Sequence, residues 1–236
     1  MALSAAAAAA PEAPVDFIFM LTREDRTIED CVEVYQSIRD LPVNHVGFKD
    51  VGVAPETLAR LHGLMKADGK TTYMEVVSTT PEAGLASARI GAELGIDRLL
   101  GGQRVAEVLA ILKGRTTGYY PFPGVPQGHP TRLGGSPDRI AADTRAAVAA
   151  GCAGVDLLAY RATEADPLDL IRAARGATGR TIIVAGSVDT PERIRAVKAA
   201  GADLFTIGTA ALSGSFDPRY GLLANQLRRI LTAAAS

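Results

Sequence analysis

The 236-residue chain has few of the features that mark several large protein classes. It holds only two cysteines, Cys31 and Cys152, and three histidines, His45, His62 and His129, none at metal-ligand spacing. A disulfide framework and a structural zinc site are therefore excluded; both cysteines read as small buried residues, and a reducing cytoplasm is the expected compartment. Charge is balanced, at −1 overall, with no basic cluster, which argues against nucleic acid as the main partner. No Gly-x-Gly-x-x-Gly follows the first apolar run, so the dinucleotide-binding fold lacks its usual signature. The opening MALSAAAAAAPEAP has no basic n-region and no stretch of large apolar residues. It is expected to be a tail over residues 1–14 rather than a signal or a membrane anchor, with part of a longer targeting segment as the other reading.

What is present is an alternation. Apolar runs at Val15–Leu21, His45–Lys49, Thr71–Val77, Ile96–Leu100, Thr116–Phe122, Val155–Tyr160, Thr181–Gly186 and Leu204–Gly208 read as strands. Helical patterns separate them. Thr27 is expected to start the first, and Pro55-Glu56, Pro81-Glu82, Pro137-Asp138 and Pro191-Glu192 place proline and acid where helices begin. Gly95, Gly151, Gly179 and Gly201 fall where helices end. Eight strand–helix units over residues 15–236, in a chain that is 47% hydrophobic, predict one α/β domain, a (β/α)8 TIM barrel.

Strand alternation then selects the side chains inside the barrel. Helices cover the outer face, so Val46 and Phe48 go outside and His45, Gly47 and Lys49 inside. By the same parity Tyr73 and Glu75, then Asp156, Leu158 and Tyr160, face inward, and Asp16 does so near the start of the first strand. Arg98 is either interior or at the bottom edge. Only five of the 25 basic residues are lysines, and Lys49 alone stands at the C-terminal end of a strand, where barrel active sites are built. Lys49, Glu75 and Asp156 are the candidate catalytic groups: a cation to stabilise an enolate or form a Schiff base, and two carboxylates as base. A structural Lys–Glu pair is the competing reading, Asp50 is expected to be structural, and Glu164 and Asp166 read as helix-start acids.

Tyr160 and Arg161 end the sixth strand on the functional face, where Arg161 can fork onto a carboxylate or phosphate. The Pro121–Pro137 loop, with five prolines and four glycines in seventeen residues, suggests a lid or substrate wall, with His129 and Arg132 as its chemically useful members. Tyr119 and Tyr120 can put one hydroxyl into the site. His45 is expected in the core and His62 on the surface.

Two strand ends carry glycine plus a small hydroxyl residue, Gly186-Ser187 and Gly208-Thr209. Backbone amides there can approach an anion, helped by a following helix N-terminus, and barrels often hold phosphate after strands seven and eight. The segment VAGSVDTPERIRAVKAAGADLFTIGTAAL resembles the ribulose-phosphate-binding barrels, among them the histidine-biosynthesis isomerase and cyclase and N-acetylmannosamine-6-phosphate 2-epimerase. The resemblance implies that amides at Gly186, Ser187, Gly208 and Thr209 bind a substrate phosphate. Several family signatures are missing: the Asp-x-Lys-x-x-Asp of the decarboxylases on strand three, the strand-end histidine pair of ribulose-phosphate 3-epimerase, and the strand-one aspartate of the histidine-pathway enzymes. The expected function is an isomerase, epimerase or lyase that abstracts a proton next to a carbonyl of a small phosphorylated sugar or keto acid, without metal or redox cofactor. A Lys49 Schiff-base aldolase, a non-catalytic phosphometabolite sensor and a flavin-binding barrel are the alternatives. No membrane partner is expected; subunit number is not legible in the sequence, and a homodimer is one option because barrels of this size commonly pair.

Overall fold

In the computed structural model, which describes residues 15–236, eight parallel strands form one sheet that curls into a barrel. They are β1 (Asp16–Met20), β2 (His45–Lys49), β3 (Thr71–Val76), β4 (Arg98–Gly101), β5 (Gly118–Tyr120), β6 (Gly154–Leu157), β7 (Thr181–Val184) and β8 (Leu204–Ile207). Their order in the sheet is β6-β7-β8-β1-β2-β3-β4-β5. The two edge strands meet: Ala153 N donates to Tyr119 O (2.9 Å) and Asp156 N to Pro121 O (3.0 Å), closing the ring. The expectation for residues 1–14 lies outside the described residues.

The helices are α1 (Cys31–Ile38), α2 (Pro55–Ala67), α3 (Pro81–Leu94), α4 (Val105–Ile111), α5 (Pro137–Ala149), α6 (Pro167–Ala177), α7 (Pro191–Ala199), the single-turn α8 (Thr209–Leu212) and α9 (Leu223–Ala235). Proline opens α2, α3, α5, α6 and α7, where its missing N–H costs nothing. Thr80, Ser136, Asp166 and Thr190 precede four of them and accept a hydrogen bond from the first turn. Helix α1 begins at Cys31 rather than Thr27, because Thr22–Arg23 and Arg26–Thr27 pair as a small antiparallel hairpin. The Pro121–Pro137 loop likewise folds on itself, with Val125–Gln127 paired to Arg132–Gly134.

Apolar side chains fill both layers. Val46, Phe48, Met74, Leu99 and Phe205 point outward into the shell between sheet and helices. Ile18, Met20, Tyr73, Leu100, Tyr120, Ile183 and Leu204 form a separate cluster inside the barrel. Arg98 joins the interior, its guanidinium 5.3 Å from the Tyr73 ring centre and 5.9 Å from that of Tyr120. Beside it, the Tyr73 hydroxyl bonds His45 Nδ1 at 2.9 Å, so His45 belongs to the bottom plug. Asp16 keeps the inward parity of Ile18 and Met20 at the open start of β1, its exposed carboxylate 3.8 Å from His45 Nε2. Leu158 and Tyr160 leave the expected inward set, because β6 ends at Leu157 and the chain turns into a short 3-10 helix, Ala159–Arg161. His62 is buried rather than on the surface, packed on the inner face of α2. Both cysteines are buried and free.

Candidate active site

The polar groups gather at the C-terminal end of the barrel. β2 and β3 pair with Lys49 opposite Glu75, so parity alone puts both side chains side by side on the inner face. Lys49 Nζ stands 3.1 Å from Glu75 Oε2, and both side chains are buried. The Lys49 backbone is pinned by Thr27: the Thr27 hydroxyl accepts from Lys49 N and donates to Lys49 O, each at 2.8 Å. Asp50 acts structurally, accepting Val77 N at 2.9 Å and the Ser78 hydroxyl.

Asp25 completes the group. It sits at the tip of the hairpin after β1, where Glu24 (φ 48°) and Asp25 (φ 65°) both take the left-handed conformation of a tight two-residue turn. Non-glycine residues held there are strained, and such strain gathers at functional sites. The turn aims a fully buried carboxylate into the barrel mouth. One oxygen accepts the Lys49 ammonium; the other accepts Arg161 Nη1 at 2.8 Å and Thr131 N at 2.8 Å. Burial pushes the Asp25 carboxyl up, but Lys49 and Arg161 outweigh it and hold it well below the usual carboxylate range.

Asp156 faces the barrel axis from β6, fully buried, and neither of its oxygens has a hydrogen-bond partner; Glu75 Oε1 lacks one too. Burial, reinforced by the Glu75 charge, raises the Asp156 carboxyl well above its ordinary value. Asp156 is not part of the cavity wall, and so lies behind the reacting surface rather than on it.

A cavity of about 280 Å³ opens over these groups. Asp25, Lys49, Glu75 and Arg161 line it together with Gly186, Ser187, Gly208 and Thr209. Gly186 (φ 76°) and Ser187 (φ 58°) are both left-handed, and Gly186 N reaches toward the Thr206 hydroxyl at 3.4 Å. Successive amides in such turns make an anion-binding concavity. The helix behind Gly208, α8, has one turn only, so the turn amides and Arg161, not a helix dipole, supply the positive field. Arg161 lies directly against Gly186: a Cβ added there would meet Arg161 Nε at 2.3 Å.

The structure therefore brings together Lys49, Glu75, Arg161 and the two glycine–hydroxyl turns, with Asp156 behind them. It does not bring in three other candidates. Tyr160 packs under the Arg193 guanidinium, 4.7 Å from its ring centre, away from the cavity. His129 and Arg132 are exposed on the hairpin of the long loop and line no part of the cavity, because the hairpin turns them to solvent. That loop reaches the site through the Thr131 backbone instead. Tyr119 donates its hydroxyl to Gly101 O at 3.1 Å and Tyr120 lies in the barrel interior, so neither serves the cavity. Asp166 caps α6 as expected, whereas Glu164 accepts Gly135 N at 3.0 Å. Asp25 and Thr131 are the two site residues that parity missed. The signal for Asp25 is an acidic pair, Glu24-Asp25, in the middle of a six-residue polar run, Thr22–Thr27, directly after a buried strand.

Fold and cavity together define the class: a single (β/α)8 barrel with a buried lysine–arginine–carboxylate group facing two glycine turns at the C-terminal mouth. No family model and no curated protein matches the chain. Solved structures do. Orotidine 5'-phosphate decarboxylase from Pyrococcus horikoshii OT3 superposes with a TM-score of 0.63 at 13% identity, over 93% of this chain and 99% of that one. A 3-hexulose-6-phosphate synthase gives 0.60 at 21%, over 94% and 100%. Both are ribulose-phosphate-binding barrel enzymes, the group the C-terminal segment resembles. FabK from Thermotoga maritima gives 0.59 at 14% identity, over 85% of this chain and 60% of that one, so this chain spans about three-fifths of FabK's length. At these identities the likeness establishes the barrel. No helix among the described residues is long and apolar enough to cross a membrane.

Proposed function

We propose that this barrel is an enzyme of carbon-acid chemistry, an isomerase, epimerase or lyase acting on a small phosphorylated sugar or keto acid. The observation that carries the reading is the Lys49–Glu75 pair, 3.1 Å apart on adjacent strands, facing the turns at Gly186–Ser187 and Gly208–Thr209 across one cavity. The turn amides and Arg161 hold the phosphate. Glu75, with Oε1 unpartnered, accepts the proton next to the carbonyl. The Lys49 ammonium stabilises the resulting enediolate oxygen. Asp156 stands behind Glu75, its carboxyl raised by burial and by the Glu75 charge.

A lysine with two carboxylate partners serves better as a charge than as a free amine, which favours this route over a Schiff base. A purely structural ion-pair group is the bland reading, but buried pairs contribute little net stability. The phosphate site also supports a substrate rather than a membrane or nucleic-acid partner.

The test combines thermal-shift screening of sugar phosphates, inorganic phosphate and unphosphorylated analogues with NMR detection of C–H exchange in deuterated water. Stabilisation by one phosphorylated compound with exchange at its α-carbon is the expected result. Binding without exchange would make the protein a sensor. Borohydride trapping of the compound on Lys49 would make it an aldolase. No response to any phosphate would overturn the reading.

A further inference from the structure

A second cavity of about 200 Å³ lies outside the barrel wall, between the outer face of β3 and β4 and the helices α3 and α4. Among the described residues the two cavities have no wall residue in common. The floor of the second is buried and apolar, built from Val76, Ala88, Leu99, Val108 and Phe122. Exposed residues border it as well, Thr79, Thr80 and Pro81 at the start of α3 and Gln127 and Gly128 on the hairpin, so it opens to solvent. Loops as long as Pro121–Pro137 are uncommon unless they serve a function. This one contributes Phe122, Pro126, Gln127, Gly128 and Thr131 to the second cavity and no residue to the wall of the first.

Its polar side chains are largely engaged within the protein. Tyr119 donates its hydroxyl to Gly101 O, Gln103 Nε2 donates to Gly124 O at 3.0 Å, Ser78 donates to Asp50, and Thr80 caps α3 through Ala83 N. Arg104, the one charged residue among the described residues of its wall, pairs with Glu107. A charged ligand would therefore shed water here with no free counter-charge to replace it. An apolar space of about 150 Å³ is enough to bind benzene, so one aromatic ring fits. A glycine borders the space without a packing reason. Glycine inside a helix is less stable than alanine, yet a Cβ added at Gly84 on α3 would meet only Val76 Cγ1, at 3.7 Å. We infer that the second cavity is a ligand site of its own, for a neutral molecule built on one aromatic ring or a branched alkyl group of similar size. The inference stands apart from the phosphate reading of the first cavity.

NMR titration of the full chain with toluene tests it, with benzoate as the charged counterpart. In the wild type toluene should bind saturably, about tenfold or more tighter than benzoate. Nuclear Overhauser contacts should run from its protons to the methyl groups of Val76, Leu85, Leu99 and Val108. Gly84→Leu places a side chain in the space and should weaken toluene by about tenfold or more, with the response to inorganic phosphate as in the wild type. Gly63→Leu, on the exposed face of α2 where an added Cβ meets nothing within 4 Å, should bind toluene as the wild type does. No saturable binding, contacts to methyl groups elsewhere, or equal binding of benzoate would each overturn the inference. Toluene binding that persists in Gly84→Leu would overturn it as well; if that variant does not fold, the wild-type contact map decides. Each of these outcomes leaves the phosphate reading standing.

Discussion

Arg161 Nη1 and Asp25 Oδ2 lie 2.8 Å apart across the barrel mouth, joining residues 136 positions apart in the chain. The second Asp25 oxygen takes the Lys49 ammonium, so one carboxylate holds both cations of the candidate site.

Asp25→Asn should therefore disturb more than one contact. Breaking a buried pair by removing one partner costs about 3–5 kcal/mol, and urea denaturation at neutral pH should show a loss of that order. The sign of the pH effect follows from the depressed Asp25 carboxyl. Its contribution is present above the usual carboxylate range and is lost as pH falls through the folded-state value. Wild-type stability should drop on acidification over that interval, and the Asn variant should lack this part of the drop.

Asp156→Asn should behave in the opposite way. The wild-type carboxyl is raised by burial and by Glu75, so the folded state holds a proton that the unfolded chain releases. Wild-type stability should fall as pH rises above the ordinary carboxylate value, by up to about 1.4 kcal/mol per pH unit, until the folded-state value is reached. Denaturation curves at pH 5, 6, 7 and 8 should show Asp156→Asn gaining on the wild type as pH rises, until the folded-state value is passed. Parallel curves would mean that Asp156 is ionised in the folded state.

Lys49→Met should separate chemistry from binding. Loss of the ammonium removes the charge that stabilises an enediolate, and solvent exchange at the substrate carbon should slow by about 100-fold or more. Affinity for inorganic phosphate, held by the turn amides and Arg161, should change less than about threefold. Unchanged exchange would remove Lys49 from the mechanism.

Gly186→Ala tests the phosphate turn. The new Cβ would stand 2.3 Å from Arg161 Nε, at a backbone φ of 76° that costs a non-glycine residue about 1–2 kcal/mol. Arg161 must move, and phosphate affinity should fall about tenfold or more by titration calorimetry. Gly179→Ala, where the added Cβ meets nothing within 4 Å, is the matched control.

The barrel was legible because its signals are local and repeated. Proline begins α2, α3, α5 and α7 where expected, and β2 spans His45–Lys49 as read, since buried parallel strands are apolar runs with clear stops. Period-two parity placed Lys49, Glu75 and Asp156 inside, because it holds wherever the strand stays regular. It failed where the strand ended: the 3-10 turn after Leu157 rotates Tyr160 out and Arg161 in. Asp25 and Thr131 come from hairpins, whose side-chain directions are set by turn geometry and long-range contacts rather than by a period. The burial of His62 depended on which face of α2 meets its neighbours, and α2 has too weak an apolar stripe to announce it. His129 and Arg132 were attractive for their chemistry, but the fold of their loop decides that they face water.

The meeting of β5 with β6 has a consequence for how the molecule behaves in concentrated solution. A sheet with free edges presents rows of unpaired amides and carbonyls, on which another chain can add a strand and seed aggregation. Here the two edges satisfy one another through Ala153 and Tyr119, and through Asp156 and Pro121. The remaining strand pairs are hairpins of only two or three residues per strand. Self-association through the described residues is thereby steered away from fibre-like strand addition.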